Sequence, residues 1–173
     1  APVLERLVRE RRPALVRYAA LLTGGDLRDA DDLVQGALVR TFGRGRPLRE
    51  VAAAEAYVRQ AVLRVFLDGC RRRRHWHGLR HLVGVPEAVP TATAAAEDGI
   101  DVRAALAVLR PRLRACVVLR YYDDLTVPEI AERLGLAPGT VKRYLSDAVA
   151  ELEVLLGPLP TRTPRSSPSS SPM

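Results

Sequence analysis

The sequence predicts an all-α protein made of two small helical domains that a flexible linker joins. Apolar residues recur at helical spacing through most of the chain, and no segment alternates apolar and polar residues as a strand would. Residues 78–98 change character, with two prolines, many small side chains and no charge pattern, which indicates a linker. Residues 158–173 are rich in Pro and Ser, a composition typical of a disordered tail.

The front domain, residues 1–77, is expected to contain three helices. The first runs from about Val3 to Leu22 and the second from about Leu27 to Phe42. A loop rich in Gly and Arg follows at residues 43–50, and the third helix runs from about Ala53 to Arg74. Together they form a three-helix module.

The rear domain, residues 99–157, resumes the helical pattern near Ile100 and breaks around Pro111. It ends in two amphipathic helices separated by a sharp turn. A flexible linker of this length would span roughly 25 Å on average, so the two domains could lie apart.

Residues 126–152 have the pattern of a helix-turn-helix. Thr126 and Glu129 form a capping box, Gly135 suits a left-handed helix end, and Pro138 suits the first turn of the next helix. The apolar residues of each helix fall on one face: Val127, Ile130, Ala131 and Leu134 in the first, and Val141, Leu145, Ala148, Val149 and Leu152 in the second.

A helix-turn-helix places the N-terminal residues of its second helix in the major groove of DNA. Thr140, Lys142, Arg143, Tyr144 and Asp147 are expected to point outward there. Lys142 and Arg143 suit phosphates or guanine edges, and Thr140 a phosphate or a thymine methyl. The alternative is a helical hairpin whose charges are merely solvated.

Positive charge is concentrated in the front domain. The whole chain carries a net charge of +7, whereas residues 1–77 carry 16 Arg and 9 acidic residues and residues 99–157 carry 8 of each sign. The third helix ends in four consecutive arginines, Arg71–Arg74, followed by His-Trp-His. Such a run suits a nucleic-acid backbone and a stacking base, although cations also stabilise a helix C-terminus.

Tyr57, Arg59 and Arg64 lie on the same helix as the arginine run and extend that surface. Tyr57 fits a core position equally well. The basic residues are almost all Arg, with Lys142 the only lysine, a usage that a GC-rich genome would also produce.

Two clusters contain the residue types that bind metals. Asp29, Asp31 and Asp32 lie in the first turns of the second helix, where acids are favourable in any case; as a metal cluster they would indicate a nuclease. A second set has H-x-H-x3-H spacing, but a linker that begins there would hold zinc ligands loosely. Its members are His75, His77 and His81, with Cys70 nearby. We expect no metal, no cofactor and no catalytic residue.

The composition also bears on location. No run approaches the ~20 apolar residues of a membrane span, and the first residues lack a signal-peptide pattern. Cys70 and Cys116 lie in apolar surroundings far apart in sequence, as buried thiols rather than a disulfide. We expect a cytoplasmic protein without membrane insertion.

In this order, the motifs resemble an extracytoplasmic-function (group IV) bacterial sigma factor, most closely the arginine-rich SigE-like actinobacterial type. "DADDLVQGALVRTF" resembles region 2.2 and "AEAYVRQAVLRVFLDGCRRRR" regions 2.3 and 2.4. "LRPRLRACVVLRYYDDLTVPEIAERLGLAPGTVKRYLSDAVAEL" resembles region 4. The helix-turn-helix alone also fits a stand-alone LuxR-like transcriptional regulator, which would normally need a dimer surface and a palindromic site.

The resemblance implies a promoter-specificity subunit of RNA polymerase that directs initiation at −10 and −35 elements, without enzymatic activity. Implied partners are core RNA polymerase (its β′ clamp helices and β flap), promoter DNA and a cognate anti-sigma factor. Implied site residues are Asp31, Asp32, Leu33 and Gln35 for core polymerase; Tyr57, Arg59, Arg64, Arg71, Arg72, Arg73 and Arg74 for the −10 element; and Thr140, Lys142, Arg143 and Tyr144 for the −35 element.

Five positions depart from the family pattern. Arg64 stands where an Asn is usual, and "KRYL" at Lys142–Leu145 replaces the frequent "KSRL". Asp147 stands where Arg is common, so it would repel phosphates. Ala137 replaces a serine cap, which would cost about 1 kcal/mol.

Overall fold

A computed structural model describes residues 2–45, 47–80 and 102–158, with only the backbone described at residues 77–80. Within these ranges the secondary structure is helical and contains no strand, which confirms the all-α prediction. A π-helical turn, Val118–Tyr122, continues the fifth helix. The α-helices are α1 (Pro2–Thr23), α2 (Leu27–Phe42), α3 (Val51–Arg80), α4 (Val102–Val108), α5 (Pro111–Val117), α6 (Val127–Leu134) and α7 (Pro138–Leu156).

The front domain is the predicted three-helix module, in which α1, α2 and α3 each pack against the other two. Asp26 caps α2, since its carboxylate accepts hydrogen bonds from the amides of Arg28 and Asp29. α3 continues to Arg80, past its expected end at Arg74 and into the expected linker. Residues 71–77 contain no Gly or Pro, so nothing in the chain stops the helix there.

The rear domain contains the predicted helix-turn-helix, α6 and α7. Thr126 and Glu129 form both bonds of the capping box, and Gly135 ends α6 at a φ of 65°. The amide of Leu136 bonds to the carbonyl of Ala131 at 2.9 Å, which tightens the turn. Pro138 opens α7, as expected from its fixed φ.

The two domains lie in direct contact rather than apart. α1 packs against α4 and α5, and Gly24 follows α1 with a φ of 74°. A Cβ atom at Gly24 would lie only 3.0 Å from Ala107 of α4, so the close approach depends on glycine. The expected linker beyond residue 80 and the expected tail beyond residue 158 fall outside the described residues.

The π-helical turn shapes the domain contact. The amide of Asp123 bonds to the carbonyl of Val118 at 3.2 Å, and that of Leu125 to the carbonyl of Leu119 at 3.1 Å. Wide turns of this kind are frequent at functional sites because they redirect the side chains that follow. Here the turn presents Tyr122 and Asp123 to the front domain.

Candidate nucleic-acid interface

One side of α3 carries an exposed stripe of aromatic and basic side chains. Tyr57, Arg64 and Arg71 follow at seven-residue spacing, which brings them to the same side of a helix. All three are exposed, Tyr57 with 41% of its surface, so this tyrosine is not a core residue. An aromatic ring and two guanidinium groups in line suit a single strand of nucleic acid, because its bases stack on aromatic rings and its phosphates pair with Arg.

The arginine run also lies on the surface. Arg71, Arg72, Arg73 and Arg74 are all exposed, and none forms a salt bridge to another described residue. Burial raises the pKa of the Cys70 thiol, although nearby guanidinium groups, that of Arg73 foremost, oppose the shift. Because Arg71–Arg74 are exposed and form no salt bridge to another described residue, their guanidinium groups are accessible to an anionic partner.

Arg59 is the exception among the predicted −10 residues, because it faces the rear domain. Its Nη1 donates to Asp123 Oδ1 at 3.2 Å, and its Nη2 lies 3.7 Å from Glu55 Oε1. The guanidinium lies 5.2 Å from the ring centroid of Tyr18 and 5.5 Å from that of Tyr122. The predicted −10 set is thus divided between two sides of α3.

Asp123 joins three elements at this contact. It accepts a hydrogen bond from the Tyr18 hydroxyl at 2.9 Å in addition to the one from Arg59. Burial raises the pKa of Asp123, against the lowering effects of the Tyr18 hydrogen bond and the charge of Arg59. Burial also raises the pKa of Tyr18, and the Asp123 charge adds to that shift.

The N-terminal half of α7 presents part of the predicted −35 set. Lys142, Arg143 and Asp147 are exposed, as expected, whereas Thr140 and Tyr144 are half-buried. Tyr144 packs on the core, and the Arg143 guanidinium lies 5.5 Å from the centroid of its ring. The ring therefore supports Arg143 at the surface rather than reaching outward itself.

The α2 residues predicted to bind core polymerase also differ in their exposure. Asp32 and Gln35 are exposed, Leu33 is half-buried against the core, and Asp31 is paired with Arg12 of α1 at 2.6 Å. Val39 shares the Asp32–Gln35 side and is 70% exposed, which the sequence analysis missed. The seven-residue spacing between Asp32 and Val39 is about two helical turns, so the sequence could have indicated that the two residues share a side of α2.

The metal clusters weighed from the sequence receive no support. The described residues contain no group of three or more His, Cys, Asp or Glu that could hold a metal ion. The side chains of His77 and His81 lie outside the described part. Cys70 and Cys116 are free thiols. Of the helices described, none combines the length and the apolar character that a membrane span requires.

Comparison with known proteins agrees with both domains. The family model for sigma-70 region 2 matches residues 7–75, and the model for sigma-70 region 4 matches residues 100–152. The RNA polymerase sigma-E factor of Streptomyces avermitilis is 37% identical over 156 residues, which cover 86% of this chain and 82% of the relative. The ECF RNA polymerase sigma factor SigL of Mycobacterium tuberculosis is 34% identical over 160 residues, 90% of each chain.

A solved structure shares the fold. The sigma factor RpoE of Bartonella quintana, solved in complex with the anti-sigma factor NepR, aligns with a TM-score of 0.60 and 23% identity. The alignment covers 87% of this chain and 94% of that one.

The chain belongs to the sigma-70 family, among the ECF RNA polymerase sigma factors. It is a sigma subunit, the component of RNA polymerase that directs transcription initiation at promoters. A stand-alone regulator of the LuxR-like type would share only the helix-turn-helix, whereas here the family match extends over both domains.

Proposed function

We propose that the two domains recognise two elements of one promoter while the front domain also binds core RNA polymerase. The front domain (residues 1–77) corresponds to region 2 and the rear domain (residues 99–157) to region 4. Residues 78–98 join them, of which 78–80 are the end of α3, and residues 158–173 are the tail. The observation that carries this assignment is the exposed Tyr57–Arg64–Arg71 stripe in one domain together with Lys142 and Arg143 at the start of a recognition helix in the other.

The exposed side of α2 binds core polymerase at the β′ clamp helices. Asp32 and Gln35 supply polar contacts, and the isopropyl group of Val39 supplies apolar area at the same surface. Asp31 acts mainly within the chain, since its 2.6 Å pair with Arg12 holds α2 against α1. Leu33 positions the same helix from its half-buried site.

The α3 stripe binds the melted −10 element. A base of the displaced strand stacks on the Tyr57 ring, while Arg64 and Arg71–Arg74 hold the phosphates on either side. The long guanidinium of Arg64, at a position where the family pattern has Asn, adds charge but fewer options for reading a base edge. We therefore expect a −10 preference that differs from that of relatives with Asn.

The N-terminal half of α7 reads the −35 element in the major groove. Arg143 is the base-reading candidate, because a guanidinium pairs with guanine O6 and N7 in bidentate fashion. Lys142 and Thr140 contact the flanking phosphates. Asp147, four residues after Arg143, repels the phosphate backbone and weakens binding of the −35 element.

The protein acts without catalysis of its own, in the cytoplasm, where core polymerase and the chromosome are. The rear domain contacts the β flap of the polymerase, and a cognate anti-sigma factor regulates the chain. Support for the last point is the anti-sigma factor bound to the RpoE relative. Chain tethering through the core enzyme lets the rear domain bind duplex DNA by effective concentration rather than by affinity alone.

Transcription from fragmented genomic DNA tests the proposal. Purified core polymerase with this chain should give discrete transcripts that core alone does not, and their start sites should share two upstream elements. Val39→Asp should remove both these transcripts and comigration with core on gel filtration. Val154→Asp, at an 85% exposed site on α7, is the matched control and should leave comigration intact. Absence of new transcripts with the wild-type chain would contradict the proposal.

A further inference from the structure

Three arginines line one cleft beside the arginine run of α3. Arg71 and Arg74 belong to α3, and Arg112 belongs to α5. None of the three forms a salt bridge to another described residue, and no described acidic residue lines the cleft. Arg112 is half-buried, so salt screens its charge less than that of a fully exposed group. Cations held together without an anion repel one another, and an anion in the cleft relieves that repulsion.

The other walls of the cleft are mostly apolar. Leu67 of α3, Leu134 at the end of α6 and Leu136 in the following turn all line it, and all three are half-buried. A cleft with one sign of charge and apolar walls concentrates the electric field and raises the local concentration of ions of the opposite sign. The cleft therefore suits a small anion with several oxygen acceptors.

Cys70 lines the same cleft, and its thiol responds to the charge around it. Burial raises the pKa of this thiol, whereas the guanidinium groups of Arg73, Arg114, Arg74 and Arg112 lower it. The thiol is free and half-buried. Since the reactivity of a thiol depends on its exposure and its pKa, Cys70 can report on what occupies the cleft.

We propose that this cleft binds a small ligand with two or more linked phosphate groups, held by Arg71, Arg74 and Arg112. A planar guanidinium group donates two parallel hydrogen bonds to one phosphate group, so three of them suit the many oxygens of a diphosphate or triphosphate. The bound ligand joins α3 to α5, because Arg112 belongs to the rear domain.

DNA carries the same phosphate groups but follows a different course. A strand on the stripe formed by Tyr57, Arg64 and Arg71 runs along one helix, whereas the cleft extends from α3 to α5 and α6. Arg71 is the residue that both surfaces share. A ligand of a few phosphate groups can contact all three cleft arginines without a long backbone, and we therefore favour the small ligand.

A bound ligand would also regulate the −10 surface. It occupies Arg71 and Arg74, which the proposed function assigns to the −10 element, so it lowers the affinity of the chain for a single strand. By linkage, a bound strand lowers the affinity for the ligand by the same factor. Only this consequence rests on the proposed function; the binding of the ligand does not.

The rate at which iodoacetamide alkylates Cys70 tests the binding in the full chain, without DNA or polymerase. Sodium pyrophosphate is the test ligand, and sodium chloride at the same ionic strength is the reference. Pyrophosphate at about ten times its dissociation constant should slow alkylation of Cys70 about tenfold, since only the unliganded chain reacts. Mass spectrometry of the digested chain measures Cys70 separately from Cys116.

Arg112→Gln and Arg110→Gln each remove one positive charge, so their general electrostatic effect is matched. Arg110 is exposed and does not line the cleft. Arg112→Gln should raise the pyrophosphate concentration needed for half-protection at least about tenfold, whereas Arg110→Gln should change it less than about twofold. Equal alkylation rates in pyrophosphate and in chloride would overturn the inference, and so would equal effects of the two substitutions.

A short single strand of mixed sequence in place of pyrophosphate separates the two sources of phosphate. The strand should protect Cys70 less than pyrophosphate does, and Arg112→Gln should leave that protection unchanged. Strong protection by the strand that Arg112→Gln abolishes would make the cleft a DNA site and overturn the small-ligand inference. None of these outcomes uses transcription, so failure of this inference is distinguishable from failure of the proposed sigma function.

Discussion

The guanidinium of Arg114 on α5 donates a hydrogen bond to the carbonyl oxygen of Leu22 at the end of α1, with 2.7 Å between Nη1 and the oxygen. Its Nε and Nη2 atoms bond to the carbonyls of Leu106 and Leu109 at 2.8 and 2.9 Å. One buried side chain thus satisfies carbonyls at the ends of α1 and α4, where helices lack internal partners. The Arg114–Leu22 hydrogen bond lies between the rear domain and the front domain and joins them.

Replacement of Arg114 by Met should therefore destabilise the chain more than any surface change. The variant removes the guanidinium donors from the carbonyls of Leu22, Leu106 and Leu109 in a buried site, and we expect a loss of about 3–5 kcal/mol in the free energy of unfolding. Urea denaturation followed by circular dichroism measures it. Arg112→Met, two residues earlier on the same helix and half-buried, is the control and should cost under about 1 kcal/mol. Similar losses for the two variants would contradict this role of Arg114.

The glycine pair after α1 gives a separate test of the domain contact. Gly24 and Gly25 both have positive φ, at 74° and 96°, so an alanine at either position carries a backbone penalty of roughly 1 kcal/mol. Only at Gly24 would the new Cβ lie 3.0 Å from the backbone and side chain of Ala107; at Gly25 it meets Arg103 at an ordinary 3.6 Å. Gly24→Ala should therefore separate α1 from α4.

Hydrogen exchange on the full chain distinguishes the two glycine variants. Gly24→Ala should speed exchange of the amides in α4 by at least about tenfold, which corresponds to ~1.4 kcal/mol, whereas Gly25→Ala should affect them little. Equal protection of α4 in both would show that the close approach at Gly24 does not determine the contact.

Local features of this fold could be predicted from the sequence because their causes are a few residues apart. The capping box at Thr126, the turn at Gly135 and the bounds of α2 depend on side chains and φ preferences within a few residues. The outward direction of Lys142 and Arg143 follows from the same helical period. These predictions are confirmed.

The domain contact could not be predicted in that way. Arg59 and Asp123 are 64 positions apart, and Arg114 and Leu22 are 92 positions apart, across a linker whose composition says only that it can bend. The sequence does not distinguish a buried arginine that donates to several carbonyls from a solvated one. Nothing in it therefore indicated the role of Arg114. Val39 was missed for a different reason: Asp32 and Gln35 came from the family resemblance, and the helical period was used only to find the buried side of α2 and not its exposed apolar residues.

The N-terminus of α7 lacks a side-chain cap, and serine should supply one. Ala137 has the extended conformation of a capping residue, with φ −69° and ψ 144°, but forms no cap bond. Ala137→Ser should raise the free energy of unfolding by about 0.5–1 kcal/mol, whereas Thr126→Ala, which removes the existing cap of α6, should lower it by about 1 kcal/mol. Thermal denaturation of both variants measures the opposite shifts. An unchanged midpoint for Ala137→Ser would show that another group already satisfies those amides.

Tyr144 should act on the −35 element through Arg143 rather than by direct contact. Tyr144→Phe keeps the ring under the guanidinium, and Tyr144→Leu keeps apolar burial but removes the ring. A stacked cation of this kind contributes ~0.5–1 kcal/mol, so Tyr144→Leu should reduce transcription two- to fivefold, roughly, from promoters that need the −35 element. Tyr144→Phe should match wild type. A loss in both would assign the effect to the hydroxyl group instead of the ring.

Asp123 should make the stability of the chain depend on pH in the acid range. The carboxyl faces Tyr18 of α1, Arg59 of α3 and the charge of Arg133 on α6, and its burial raises its pKa above the ordinary 3.8. A carboxyl with a raised pKa binds protons more readily in the folded chain, so its contribution to stability is fully present below 3.8 and is lost as pH rises through the raised value.

Comparison with Asp123→Asn isolates this contribution, because the amide cannot titrate. The free energy of unfolding of wild type minus that of Asp123→Asn should fall as pH rises from 3.8 through the raised pKa of this carboxyl, measured by urea denaturation at each pH. A difference that grows with pH would mean that pairing with Arg59 outweighs burial. Removal of the carboxylate takes a charged acceptor away from Arg59 and Tyr18, so the ionised Arg59–Asp123 pair still joins the domains even though burial of its charge is costly.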